Sequence, residues 1–191
     1  MPMCLRYGMF NFFARCIQRL FIMHGDPANE ILPGLWLGNR IASQDTFWLR
    51  QHNINAVFNA SKDIPFAPGK HSMYRIPVED NLKEEEIRNM ELWSWEIVHK
   101  VLNEYNQGNR VLVHCAAGMQ RSAAIVAMVL IALYRCKTDD AIKFIKGKRP
   151  IAFLGHANFY KSIKGFETAL FRMIIEKNMH DKYPILPLPR D

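Results

Sequence analysis

Residues 114–122 read His114-Cys115-Ala116-Ala117-Gly118-Met119-Gln120-Arg121-Ser122. Cys115 and Arg121 are separated by five residues, with Gly118 between them and a hydroxyl directly after the arginine. Arg110-Val111-Leu112-Val113 before this run is a short strand signal, and Ala123 to Tyr134 after it is apolar and helix-compatible. Strand, tight loop and helix N-terminus in that order predict an anion site, because successive backbone N–H groups point inward and the helix dipole adds positive potential. The same field favours the thiolate of a cysteine at its mouth. An arginine at the far end grips two oxygens of a phosphate at once. The run therefore suits attack by sulfur on a phosphate ester. A buried core cysteine with a chance arginine neighbour is the plainer reading, and the histidine, glycine and serine in register count against it.

His114-Cys115, five residues, then Arg121-Ser122 resembles the signature of the cysteine-dependent protein phosphatases. Leu35-Trp36-Leu37-Gly38-Asn39 is similar to the first strand of the dual-specificity branch, with a short helix over Ser43 to His52 after it. Ile54-Asn55-Ala56-Val57-Phe58-Asn59 is similar to its second strand, and Tyr74-Arg75-Ile76-Pro77-Val78-Glu79-Asp80 to the strand and loop that carry its general acid. Lys148-Arg149-Pro150 falls where the family often has a basic-Arg-Pro turn, and Phe166-Glu167 resembles its closing helix. The resemblance covers about residues 30–170. The Ala116-Ala117-Gly118 form of the loop is similar to that of virus-encoded members, the poxvirus enzyme among them. Two places depart from the pattern. Met128-Val129-Leu130-Ile131 stands where the family often has Ala-Tyr-Leu-Met, an apolar exchange that affects packing more than chemistry. Where the family commonly places an asparagine that braces the phosphate loop, this chain has His156, with Asn158 two residues on.

The resemblance implies a role for each residue. Cys115 is the expected nucleophile, forming a phosphocysteine intermediate. The backbone N–H groups of Ala116, Ala117, Gly118, Met119, Gln120 and Arg121, with the Arg121 side chain, are expected to hold the phosphoryl oxygens. Ser122 is expected to donate to the sulfur as it leaves, and His114 to tune the thiolate; a satisfied core histidine is the plainer reading of His114. Asp80 is the expected general acid and later base, with Asp63 and Glu79 as rivals. The expected activity is hydrolysis of phosphotyrosine and phosphoserine/threonine esters, with a phosphoprotein as substrate. No cofactor and no metal are implied. An RNA 5′-phosphatase of the same superfamily, motivated by net charge, and a non-catalytic phosphate-binding module are the alternatives. Ala116 to Gln120 carry no charge, which counts against a phosphoinositide phosphatase.

The chain has 191 residues, 49% of them hydrophobic, enough for one α/β domain with extensions. Ala123 to Tyr134 is 12 residues, short of the about 20 that cross a bilayer. Cys4, Cys16, Cys115 and Cys136 show neither Cys-x-x-Cys spacing nor a disulfide framework, and the seven histidines are scattered, so zinc is not expected. No small-residue cleavage site follows the N-terminal stretch. A reducing intracellular compartment is expected, cytoplasmic in the first instance, because a low-pKa thiolate oxidises readily.

Net charge is +7, unevenly spread. Residues 1–25 carry Arg6, Arg15 and Arg19 and no acid; Lys143, Lys146, Lys148 and Arg149 form a second basic stretch; Glu84-Glu85-Glu86 opens an acidic helix. The second stretch reads equally as a patch that steers anions or as an ordinary solvated face. Nucleic acid is not the expected partner.

Three units are expected: an amphipathic helical extension over 1–25, a catalytic domain over 26–178 and a proline-rich extended tail over 179–191. In the extension Met9, Phe12, Phe13, Cys16, Ile17 and Leu20 share one helical face. Its readings are a mitochondrial-type targeting segment, a membrane-surface anchor, a helix that pairs two subunits as in a poxvirus relative, or one folded back on its own domain. Large aromatics on the apolar face favour burial against protein, and with that the resemblance to the poxvirus relative implies the homodimer. Within the domain, strands are expected at 35–37, 54–58, 73–78 and 110–114. A helix is expected over about 84–105, with Leu92, Trp95, Val98, Leu102 and Tyr105 on its packed face; another opens at an N-cap Thr138 and ends near Lys148, and a last one spans about 157–178. The fold class is α/β, a central mostly parallel sheet flanked by helices and similar to the protein tyrosine phosphatases. The loop then lies at the C-terminal edge of a central strand.

Overall fold

The computed structural model describes residues 26–177, 179, 182 and 184–189. The expected extension over 1–25 lies outside the described residues. Among the described residues five strands form one sheet: β1 (Ala28–Leu32), β2 (Leu35–Gly38), β3 (Ile54–Asn59), β4 (Ser72–Arg75) and β5 (Arg110–His114), in the order β1-β2-β5-β3-β4. Only β1 runs antiparallel to its neighbour; the β2–β5, β5–β3 and β3–β4 pairs are parallel. The expected mostly parallel sheet is present, with β5 at its centre. The helices are α1 (Arg40–Gln44), α2 (Thr46–Gln51), α3 (Glu84–Asn106), α4 (Arg121–Tyr134), α5 (Thr138–Lys148) and α6 (Tyr160–Glu176).

Alternation along the strands divides the core into two layers. Val111 and Val113 of β5 join the larger layer with Ala56, Phe58, Met90, Ile125, Met128, Ile163 and Phe166. Leu112 faces the opposite way, onto Ala42, Leu49 and Val57 under α1 and α2. Helix α4 is the hub of the larger layer. Every residue from Ser122 to Ile131 is buried, so the helix is apolar all round and packs against α3, α5, α6 and the sheet. That burial fixes its N-terminus, and with it the loop 115–120, against the end of β5.

Several expectations are corrected. The single helix over 43–52 is two short helices, because Asn39 and Asp45 each cap one. The Asn39 side chain accepts from the N–H groups of Ile41 (2.8 Å) and Ala42 (3.2 Å), and Asp45 from those of Phe47 and Trp48 (both 2.9 Å). The strand expected to reach residue 78 ends at Arg75. Pro77 has no N–H for a ladder, and Ile76 and Val78 bond to Asn59 O and Ile76 O instead. Strand β1 was not expected; Pro33-Gly34 between Leu32 and Leu35 is the hairpin turn that betrays it, with Gly34 at φ +85°.

In α3 the packed face is Met90, Ser94, Ile97, Val98 and Val101, whereas Leu92 is 66% exposed and Trp95 leans outward onto Phe166 at 5.0 Å. Helix α5 is capped by Lys137, not Thr138; the Thr138 N–H donates to Glu167 Oε2 at 2.8 Å. In the tail, Leu186 N–H donates to Tyr134 O at 2.9 Å and Leu188 packs on the core, so its described residues lie along the domain.

Candidate active site

The loop that follows β5 is shaped by where its carbonyls go. Ala116 O accepts from Arg40 N–H (3.2 Å), Met119 O from Phe153 N–H (2.9 Å) and Gln120 O from Ala124 N–H (2.8 Å). Gly118 O and Ala117 O accept from Arg149 Nε (2.9 Å) and Nη2 (3.3 Å). All five carbonyls between Cys115 and Arg121 are thus turned toward the scaffold. A peptide that points its C=O outward points its neighbouring N–H inward, which makes a ring of donors. The Gly118 N–H donates to Cys115 Sγ at 3.3 Å. Gly118 has φ +66°, and a Cβ there would stand 2.5 Å from Gly38 O, so backbone conformation and close approach both require glycine.

Cys115 is buried at the centre of this ring, and Ser122 Oγ donates to its Sγ at 3.2 Å. Burial alone would push the thiol up. The Arg121 charge, the Ser122 hydroxyl and the N–H groups of Ser122 and Met119 outweigh it and hold the thiol below its ordinary value. Arg121 opens α4, with Nη1 donating to Val78 O at 3.1 Å. His114 ends β5 and is fully buried beside the Cys115 backbone. Burial lowers its pKa to about 4, the Cys115 backbone opposes that, and the Arg75 and Arg121 charges add to it. The imidazole is therefore neutral at neutral pH.

Asp80 follows β4 in the segment 76–81. Arg121 holds Val78 O, Glu79 N–H donates to Glu86 Oε2 at 2.9 Å, and Asp80 Oδ1 accepts from Asn158 Nδ2 at 2.6 Å. Glu86 is itself buried and paired with Lys62 at 2.6 Å. Of the rivals, Asp63 is exposed, and the Glu79 carboxylate faces Lys62 (3.7 Å) and Asn81 (3.2 Å). The structure thus joins Cys115 and Ser122 by a hydrogen bond, brings the Arg121 charge to bear on the thiol, and ties the Asp80 segment to Arg121 through Val78 O.

In sequence Arg149 belongs to a turn and a basic stretch. It is 1% exposed and serves the loop instead, its Nη1 also reaching Asp26 O (3.1 Å) and Asn29 Oδ1 (2.5 Å). Burial lowers its pKa to about 10, with Cys115 and Asp26 opposing, so it stays charged. Neither His156 nor Asn158 braces the loop with its side chain. Gln120 reaches out to them: its Nε2 donates to His156 O (2.9 Å) and its Oε1 accepts from Asn158 N–H (3.0 Å). No sequence signal distinguished the side chain of Gln120 from its neighbours. Among the described residues no cluster of three His, Cys, Asp or Glu side chains is placed to hold a metal ion. A groove of about 590 Å³ beside α2 and β3, lined by Thr46, Arg50, Asn55 and His71, includes none of the loop residues.

The arrangement offers a depressed thiol, a ring of N–H donors, a fixed guanidinium and a carboxyl group, which together suit transfer of a phosphoryl group to sulfur. A family model described as "Dual specificity phosphatase, catalytic domain" matches residues 35–169. The chain is 39% identical over 123 residues to dual specificity protein phosphatase 2 of Mus musculus, covering 64% of this chain and 37% of the relative. It is 37% identical over 123 residues to dual specificity protein phosphatase 1 of Homo sapiens, covering 64% and 32%. The matched part is thus about a third of those relatives' length. Among solved structures, DUSP15 superposes with TM-score 0.67 at 25% identity, covering 80% of this chain and 97% of that one. Human DUSP28, at 24% identity and TM-score 0.65 over 76% and 96% of the two chains, shares the fold.

Proposed function

This chain belongs to the dual specificity phosphatase family, and we propose that it hydrolyses phosphotyrosine and phosphoserine/threonine esters of proteins through a phosphocysteine intermediate. The observation that carries this reading is the loop after Cys115, whose carbonyls from Ala116 to Gln120 all face the scaffold while Cys115 Sγ receives the Gly118 N–H and the Ser122 hydroxyl. Cys115 attacks phosphorus as a thiolate. The inward N–H groups and the Arg121 guanidinium take the equatorial oxygens. Asp80 gives a proton to the leaving oxygen and later takes one from water. Ser122 stabilises the sulfur when the S–P bond breaks. His114, buried and neutral directly before the nucleophile, is assigned to tuning the thiolate through the local hydrogen bonds.

The test is Cys115→Ser, assayed on tyrosine- and serine/threonine-phosphorylated peptides and on triphosphorylated RNA. Loss of all peptide turnover with retained peptide binding supports the reading. Residual turnover overturns the nucleophile assignment, and wild-type preference for the RNA end overturns the substrate class.

The unit that acts is assigned to residues 26–178, in a reducing intracellular compartment that suits the free thiols of Cys115 and Cys136. No helix among the described residues is long and apolar enough to cross a membrane. Residues 1–25, with their basic, acid-free amphipathic pattern, are assigned to pairing of two copies. Light scattering that finds the full chain and one begun at Asp26 equally monomeric removes the dimer. Pelleting of only the full chain with vesicles favours a membrane role instead.

A further inference from the structure

Two amide side chains join the phosphate loop to the segment that carries Asp80. Gln120 is 4% exposed, and both ends of its amide are engaged, Nε2 on His156 O and Oε1 on Asn158 N–H. A buried amide satisfied at both ends has one orientation only, because a flip would set donor against donor and acceptor against acceptor. Gln120 thereby fixes the backbone of Asn158 relative to the loop. The Asn158 side chain then donates Nδ2–H to Asp80 Oδ1 at 2.6 Å. With Val78 held by Arg121 and Glu79 by Glu86, the acid segment is tied at three consecutive residues.

Resting on the reading of Asp80 as general acid, we propose that Asn158 is the positioning residue of that acid, locked to the phosphate loop by Gln120. An amide NH₂ only donates, so Oδ1 must accept and the acid's proton is confined to Oδ2. The same contact sets the rotation of the carboxyl group. In the first step the Sγ–P bond forms and the P–O ester bond breaks. The bond pair goes to the ester oxygen, which takes the Oδ2 proton and leaves Asp80 as carboxylate. In the second step water oxygen bonds to phosphorus and gives its proton to Oδ2, and the S–P pair returns to Cys115 as thiolate. Both transfers use one oxygen at one place. Preset geometry of this kind removes the orientational cost at the moment of reaction. The acid is in place before substrate arrives, because its partner belongs to the surface that holds the phosphate loop.

The experiment compares Asn158→Ala and wild type on two substrates, phenyl phosphate and the phosphate ester of a strongly acidic phenol whose departure needs no proton. General acid catalysis is worth about 10²-fold or more, and loss of its orientation should cost about 10-fold in kcat/KM on phenyl phosphate. The acidic ester should be unchanged, as should competitive inhibition by inorganic phosphate, which reports the loop. On an Asp80→Asn background Asn158→Ala should add nothing, since the two residues act as one unit. Equal loss on both esters, or additive loss on the Asp80→Asn background, overturns the proposal. Asn158→Ser, polar but too short to reach Oδ1, gives the same comparison if the alanine variant does not fold. An Asp80→Asn enzyme that slows both esters alike overturns the acid and with it the role of Asn158, while an inert Cys115→Ser still upholds the phosphatase reading.

Discussion

Arg149 Nε donates to the carbonyl oxygen of Gly118 at 2.9 Å, from a side chain that is 1% exposed. A charged group is costly to bury, and the guanidinium is compensated by four acceptors: Gly118 O, Ala117 O, Asp26 O and Asn29 Oδ1. It fastens the phosphate loop to the start of the domain ahead of β1, and it holds two of the carbonyls that must point outward for the N–H ring to exist.

Arg149→Leu leaves those acceptors without partners. The expected loss is about 3 kcal/mol of stability, which lowers the melting temperature by about 6–12 °C in a domain of this size. Affinity for vanadate should fall with it, because the loop loses its outer support. Calorimetry and inhibitor titration check both; an unchanged vanadate constant shows that Arg149 stabilises the fold without shaping the ring.

Gly118→Ala places a methyl group 2.5 Å from Gly38 O and 2.7 Å from Gly38 C, at a residue with φ +66°. The Gly38 backbone cannot move aside as the tip of a flexible side chain could, and the buried Arg149 Nη2 stands 2.8 Å away. The loop shifts, and misplacement on the ångström scale costs about 10²-fold in rate. Steady-state assay of a folded Gly118→Ala enzyme reads this directly, and activity within a fewfold of wild type would refute the close approach.

Ser122 Oγ is 3.2 Å from Cys115 Sγ and donates to it. The thiolate gains that bond and the thiol gains less, so Ser122→Ala raises the Cys115 pKa and moves the acidic limb of kcat/KM to higher pH. The sulfur is also the leaving group of the second step, so phosphoenzyme hydrolysis should slow by about 10-fold or more. Rapid-quench kinetics should then show a burst of phenol from an aryl phosphate. A variant with an unmoved limb and no burst would remove the serine from both roles.

His114 is held neutral in the fold, its pKa lowered to about 4 from an ordinary 6.5. As the pH falls below 6.5 the unfolded chain takes up a proton that the native chain refuses. The stability tied to this residue is complete above 6.5 and is lost as pH falls through about 4, a loss of about 3 kcal/mol. Urea unfolding at pH 7 and pH 4 should show His114→Asn losing less stability than wild type over that interval. Parallel losses in the two proteins would contradict the buried neutral imidazole.

Much of the protein is legible in the residues because its cues are local. The run His114 to Ser122 carries the nucleophile, the anion grip and the strand–loop–helix context within a single stretch, and β-branched or apolar runs mark β2, β3, β5 and α4. Asn39, Asp45 and Pro33-Gly34 are also local signals, and they are what split the helix over 43–52 and expose the hairpin of β1. The packed face of α3 is not local: Leu92 and Val98 are equally apolar, and only the positions of α4 and α6 select Met90, Ile97 and Val101 for burial. The tertiary structure alone decides the partners of polar side chains. Arg149 looks like one more surface cation until 31 residues of chain separation to Gly118 close into a hydrogen bond. Asn158 lies 78 residues from Asp80, and Gln120 is one polar residue among several in the loop. A hydrogen bond depends on distance and angle in space, which no spacing along the chain encodes, whereas the chemistry of a thiol beside an arginine is already written in their order.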